Sequence, residues 1–178
     1  EGGGELKPPD AAELAGAAAR SGHAFLHVDG TGLRRDRAGM EINVNAVAPG
    51  LAADLLREWL AERGMTNVFI EVGGETLATG TKAGGQPWRI GIQRPELEAE
   101  VGGRPEVIVE LRDRALATSG DYRHYRRDAG GRILSHIFDP RAGRPVAAEW
   151  ASVSVIAPTC AEADAWSTAM FVLGPEEG

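Results

Sequence analysis

The chain has 178 residues, 43% hydrophobic and 25% charged, the balance of one globular domain large enough to bury a core. Its formal charge of −7 argues against non-specific nucleic-acid binding, which depends on neutralising phosphates with Lys and Arg. No apolar run approaches the roughly 18 residues of a membrane span, no basic-then-apolar leader opens the chain, and the single cysteine, Cys160, excludes an internal disulfide or a Cys-rich zinc site.

The first residues, Glu1-Gly2-Gly3-Gly4, lack an initiator Met, so a start within a longer gene product is expected, with residues 1–9 as loop. Asp10 is placed to cap a helix running to about Arg20, with Leu14 and the alanines on its buried face. Ala24 to Asp29 alternates like a strand ending at Asp29-Gly30, and residues 31–40 are polar and turn-rich. Glu41 to Gly50 leads into a helix with Leu51, Leu55, Leu56 and Trp59 at helical spacing, stopping at Gly64. Strands are expected at Val68 to Val72, Trp88 to Ile92, Val107 to Leu111, Arg132 to Ile137 and Ser152 to Ile156. Residues 80–85 and 95–105 read as loops, and Thr118-Ser119-Gly120-Asp121 as a turn after a strand end. A last helix starts at Thr159 or Cys160, carries Trp166, Ala169, Met170 and Leu173 on one side, and ends at Gly174-Pro175. Helices and strands alternate irregularly and without internal repeat, which favours an α+β fold over a doubly wound sheet.

Several short constellations suggest chemistry. Asp164 and Thr168 stand one turn apart on one helix face, which suits half of a site for a hard cation such as magnesium; an exposed Asp and a Thr bonded to its own helix would give the same spacing. Asn43 to Gly50 can offer carbonyls to a metal and helix amides to a phosphate, or be an Asn-capped tight turn. Gly73-Gly74-Glu75 directly follows a strand, where glycine lets a ligand approach the backbone or simply makes a turn. Thr118-Ser119-Gly120 suits a phosphate or ribose contact and equally an ordinary turn. His136, near a strand end, can serve as a general base or satisfy a turn. His23, His27 and His124 read as structural or exposed. Cys160 reads as a packed or capping thiol. Between Arg112 and Arg144 lie eight arginines against four aspartates, either a site for a phosphorylated ligand or a solvated basic face.

Taken in order, these pieces resemble the ApbE family of FAD:protein FMN transferases. The resemblance rests on Ile42-Asn43-Val44-Asn45-Ala46-Val47-Ala48-Pro49-Gly50-Leu51-Ala52-Ala53-Asp54, Val72-Gly73-Gly74-Glu75, Trp88-Arg89-Ile90-Gly91-Ile92 and Ala117-Thr118-Ser119-Gly120-Asp121-Tyr122. It continues with His136-Ile137-Phe138-Asp139-Pro140-Arg141-Ala142-Gly143-Arg144-Pro145 and Ala163-Asp164-Ala165-Trp166-Ser167-Thr168-Ala169. It implies an α+β fold of antiparallel sheets and packed helices, here as one domain fragment, 1–178, lacking an N-terminal flavin-contacting strand and the extreme C-terminus.

The resemblance further implies that Asp164, Thr168 and the backbone oxygen of Ala46 hold Mg2+. It implies that Asn43, Pro49, Gly73, Gly74, Glu75, Thr118, Ser119, Gly120, His136 and Ile137 line the FAD site, with His136 the candidate base. The implied activity is FMN transfer from FAD to a threonine or serine hydroxyl of an acceptor protein, such as a respiratory or electron-transfer subunit, in the periplasm or on the outer face of the cytoplasmic membrane, by a free protein or a lipoprotein. The alternatives are a flavin-delivery accessory protein or a metal-dependent FAD pyrophosphatase. The family more often has Asp at position 43, Lys or another polar residue at 49, Asp at 75 and Leu at 166. Pro49 cannot supply a lysine's charge, and Asn43 cannot act as a carboxylate.

Overall fold

The computed structural model describes residues 10–95, 105–121, 125–127, 133–147 and 150–178, following the backbone alone at 125–127 and 133. The expected N-terminal loop, most of the 95–105 loop, Tyr122, Arg123, His124 and Arg132 lie outside the described residues. In chain order the helices are α1 (Ala11–Ala18), α2 (Ala48–Ala61) and α3 (Cys160–Glu177). The strands are β1 (Leu26–Asp29), β2 (Gly32–Arg35), β3 (Val68–Val72), β4 (Glu75–Thr79), β5 (Trp88–Gln93), β6 (Pro105–Leu111), β7 (Arg114–Gly120), β8 (Tyr125–Arg127), β9 (Ile133–Ser135), β10 (Phe138–Asp139), β11 (Arg144–Pro145) and β12 (Ser152–Ala157). The strands pair antiparallel throughout the assigned ladders, so the mixed α+β class expected from the sequence is the one observed. Among the described residues no helix is long and apolar enough to cross a membrane.

The chain divides into two compact units, one holding residues up to Ile42 together with Phe138–Arg144, the other Asn43–Ile137 with Pro145–Gly178. In the first, Asp10 caps α1 through a reciprocal box with Glu13, whose carboxylate accepts the Asp10 N–H at 2.8 Å. None of α1's residues is buried, and Leu14 is exposed, contrary to the expected buried face. Residues 31–40, expected to be turns, include β2, which pairs with β1 across the Asp29–Gly32 hairpin. Its register is secured by backbone pairing rather than by an apolar face, since every residue of β2 is exposed.

The second unit is built on a four-stranded sheet in the order β12-β7-β4-β3. Successive residues of a strand face opposite sides, and both sides of this sheet are covered. Ile70, Leu77, Ala115, Ala117 and Ala157 pack with Ala53 of α2 and with Cys160 and Ala163 of α3. The intervening Ala78 and Leu116 pack on the other side with Leu111 and the β5–β6 residues Trp88, Ile90, Ile92 and Val109. The helix side is lined largely by alanine, so the helices lie close to the sheet.

The helices turn different faces inward from those the apolar spacing suggested. On α2, Leu55 and Trp59 are 55% and 50% exposed, whereas Gly50, Ala53 and Asp54 are buried. On α3, Trp166 is 54% exposed and the buried face is Cys160, Ala163, Asp164, Ser167 and Phe171. In both cases close helix-to-helix approach selects small side chains. The exposed Trp59 is covered in part by the Arg63 guanidinium, 3.9 Å from its ring centre.

Gly73-Gly74 makes the turn that its sequence allowed: it is the two-residue loop of the β3–β4 hairpin, with positive φ at both residues (69° and 111°) and Val72 paired to Glu75. One local reading is corrected. Thr118-Ser119-Gly120 is not a turn. It is the end of β7, held in the ladder by pairing with Ser154, Val153 and Ser152 of β12.

Candidate active site

The residues that begin α2 and those on the buried face of α3 meet. The backbone N–H of Gly50 donates to Asp164 Oδ2 at 3.1 Å, across 114 residues of chain. Gly50 is the residue that permits this, because a Cβ there would lie 2.5 Å from the Cys160 carbonyl oxygen. In the other direction, Asp54 of α2 reaches the first turn of α3. Its two carboxylate oxygens accept the N–H groups of Cys160 and Ala161, each at 2.9 Å. The two helices thus exchange carboxylates: each places an acid on backbone donors that helix geometry leaves without an internal partner. Thr159 completes the cap by accepting the Glu162 N–H at 3.2 Å.

Asp54 is the residue sequence reading missed. Its signal is Gly50, Ala53 and Asp54 at helical spacing, two small residues beside an acid on one face. Replacing Asp54 by Ala leaves one buried and one half-buried N–H group without their acceptor, and about 3 kcal/mol of stability is expected to be lost. Asp54→Asn, which keeps one accepting oxygen, is expected to lose about half as much; urea unfolding of both variants measures the difference.

Strand parity decides what faces this seam. Glu75 lies on the same side of β4 as Leu77, and Ser119 on the same side of β7 as Ala115 and Ala117, so both face the helices. Ser119 Oγ is 2.8 Å from Ser167 Oγ and 3.0 Å from Thr168 Oγ1. Thr118 has the opposite parity and pairs its hydroxyl with Ser154 at 2.8 Å on the other side of the sheet. At the β3–β4 loop, a methyl added to Gly73 would stand 3.0 Å from Glu75 Oε2 and 3.5 Å from Pro49 Cβ, so the loop, the start of α2 and Glu75 are close neighbours. Asn43 and Ala46 lie in the turn before α2, where Asn43 Oδ1 accepts the Asn45 N–H at 2.9 Å and Val44 O accepts from Val47 and Ala48. His136 is exposed and Ile137 half-buried at the bend after β9, where the Ile137 N–H donates to Ser135 Oγ at 3.2 Å.

Among the described residues no cation compensates the charge at the seam. Asp164 is only 5% exposed, and burial raises its pKa, with the Gly50 hydrogen bond opposing that rise. Burial also raises the Glu75 pKa, against a bond from its own backbone, and the nearby negative charges of Asp164 and Glu71 push it further up. Glu75 Oε2 is buried without a hydrogen-bond partner, and among the described residues no Lys or Arg pairs with Glu75 or Asp164. Two carboxylates and a threonine hydroxyl, all hard oxygen donors with one orphaned oxygen among them, fit a magnesium-sized cation. Among the described residues no group of three His, Cys, Asp or Glu gathers as a metal site, so such an ion would need hydroxyl, carbonyl or water oxygens as well.

Other sequence candidates play local parts. Arg141 is engaged with Asp139 at 3.1 Å in its own turn, and that guanidinium lowers the Asp139 pKa. Arg112, Arg114 and Arg144 are exposed. Cys160 is completely buried, with its thiol 3.7 Å from the Thr76 carbonyl oxygen to which it donates, and burial pushes its pKa up to about 12. It is a packed thiol.

The family model that matches is that of the ApbE family, and it covers residues 1–178. The chain belongs to the ApbE family. It is 37% identical over 173 residues to the FAD:protein FMN transferase of Klebsiella pneumoniae, covering 95% of this chain and 48% of the relative. Among solved structures, the flavin transferase ApbE from Vibrio cholerae superposes with a TM-score of 0.82 at 33% identity, covering 97% of this chain and 53% of that one. The apo flavinyl transferase ApbE of Pseudomonas stutzeri gives 0.81 at 37% identity, covering 96% and 51%. The chain spans about half the length of the curated relatives it matches.

Proposed function

We propose that this chain carries the metal-binding half of an FAD:protein FMN transferase, which moves FMN from FAD to a threonine hydroxyl of an acceptor protein and releases AMP. The observation that carries the reading is the 3.1 Å bond between Gly50 N–H and Asp164, which joins the start of α2 to the carboxylate–hydroxyl face of α3. Family membership supports the reaction type, since curated members bear the name FAD:protein FMN transferase.

In this reading Asp164, Thr168 and the Ala46 carbonyl hold Mg2+, and Glu75 adds negative charge beside them. Bound magnesium would neutralise pyrophosphate oxygens and ease departure of AMP. The Gly73-Gly74 loop, Pro49 and Asn43 line the dinucleotide, and the missing side chains at the two glycines leave room for its close approach. His136 takes the proton of the acceptor hydroxyl. The new bond joins the threonine oxygen to the FMN-side phosphorus, the P–O bond to the AMP phosphate breaks, and AMP leaves with the bridging oxygen.

The test mixes the protein with FAD, MgCl2 and a threonine-bearing acceptor protein. Flavin fluorescence that stays with the acceptor band through denaturing electrophoresis, and that disappears with EDTA, is the expected result. Free FMN and AMP with no acceptor labelling would replace transfer by pyrophosphate hydrolysis.

A further inference from the structure

Three hydroxyls, those of Thr168, Ser119 and Ser167, and one helix carbonyl have a determined proton order. Ser167 Oγ lies 3.0 Å from the Asp164 carbonyl oxygen, which can only accept, so Ser167 spends its one proton there. Ser119 Oγ is 2.8 Å from Ser167 Oγ, and with the Ser167 proton committed, Ser119 must donate. Ser119 Oγ is also 3.0 Å from Thr168 Oγ1, and by the same count Thr168 donates to Ser119. The chain runs Thr168 to Ser119 to Ser167 to the backbone of Asp164. Ser167 is 1% exposed, so water cannot readily replace it and reverse the order.

We infer that Ser119 and Ser167 are positioning residues that hold the Thr168 proton away from the cation, leaving the lone pairs of Thr168 Oγ1 to coordinate it. An unanchored threonine hydroxyl can rotate its proton into that position, where a cation repels it, or donate to its own helix carbonyl one turn back. The relay removes both options before the ion arrives, much as outer partners fix the orientation of metal-bound groups elsewhere. Asp164 joins both ends of the arrangement: its carboxylate faces Gly50 while its carbonyl terminates the relay. The inference rests on the magnesium reading proposed above. It gives Ser119 a role acting through Thr168 rather than through the flavin.

The experiment titrates Mn2+ into the FAD-saturated protein, followed by calorimetry and by the EPR signal of free Mn2+. Ser119→Ala is expected to weaken Mn2+ binding roughly 10-fold, the scale of losing an outer partner. Ser119→Thr keeps the hydroxyl and should restore affinity to within about 2-fold of the parent. In a Thr168→Val background Ser119→Ala should cost nothing further, because the group it positions is gone. Ser167→Ala, which removes the acceptor for the Ser119 proton, gives an independent reading if Ser119→Ala folds poorly; it should also weaken binding. Parent-like affinity in Ser119→Ala and Ser167→Ala, alongside weak binding in Thr168→Val, overturns the relay and leaves the metal site standing. Parent-like affinity in both Thr168→Val and Asp164→Asn overturns the metal reading, and the relay's role with it.

Discussion

Under the proposed function, Asp164→Asn is expected to abolish magnesium-dependent FMN transfer while leaving the metal-free fold at least as stable as the parent. The carboxylate is 5% exposed, accepts one backbone N–H, and has no cationic partner among the described residues. Burial without a partner makes its charge a cost to the empty protein, which is why its pKa is raised. Asparagine retains an oxygen for the Gly50 N–H and removes that cost, so a melting temperature equal to the parent's or up by about 2–4 °C is expected. Loss of the proposed charged ligand should reduce transfer by more than the roughly 10–100-fold typical of losing an outer partner. The stability profile carries the same signature. Asp164 and Glu75 hold protons more tightly folded than unfolded, so their contribution is fully present below the ordinary carboxylate range and is lost as pH rises through their raised folded values. The metal-free parent should therefore gain stability on acidification through that window, and Asp164→Asn should gain less. Transfer rates with and without MgCl2, with thermal melts in EDTA across that range, decide the matter. Parent-like transfer would remove Asp164 from the site.

The Gly50→Ala variant should lose about 3 kcal/mol, the upper range for forcing a methyl group into a packed seam. Alanine is otherwise the best helix former, so on an exposed helix position the change would stabilise. Here the new carbon would meet the Cys160 carbonyl oxygen at 2.5 Å, its carbon at 2.7 Å and Ala161 Cα at 2.9 Å. All three are backbone atoms at the start of α3, where no side chain can rotate aside. The helices must separate, which lengthens the Gly50–Asp164 bond and both Asp54 bonds at once. Ala52→Ser on the exposed face of the same helix should stay within about 0.5 kcal/mol of the parent. Urea unfolding of the pair gives the comparison, and near-parent stability in Gly50→Ala would mean the seam is looser than its distances indicate.

Much of this fold was readable where local chemistry is strong. The Asp10 cap with Glu13, the Thr159 cap, the Gly73-Gly74 loop and the break at Gly174, whose φ is 81°, all follow from residues whose side chains or missing side chains dictate backbone geometry. Reading failed where long-range pairing decided the outcome. Nothing local shows that Thr118-Ser119-Gly120 is a strand, because β12, its partner, lies more than 30 residues further on. β2 was missed for want of an apolar face, β8 because Tyr125-Arg126-Arg127 is a three-residue run with no alternation to read, and β4 because its glycine loop drew attention to the turn alone. The helix faces were misjudged for a different reason. Apolar spacing marks large side chains, but this seam selects small ones, so Leu55, Trp59 and Trp166 point outward and Gly50, Ala53 and Ala163 inward. Asp164 and Thr168 stood out at helical spacing. Asp54 and Ser167, which orient that face, did not, since their partners come from other elements.

The packed thiol of Cys160 is chemically silent in the folded chain. With a pKa of about 12, on the order of one molecule in 100,000 carries the thiolate at neutral pH, and no part of the residue meets solvent. Attack on a disulfide or a peroxide requires that anion at the surface. In the folded chain this sulfur consequently escapes thiol–disulfide exchange and peroxide attack without any reductant.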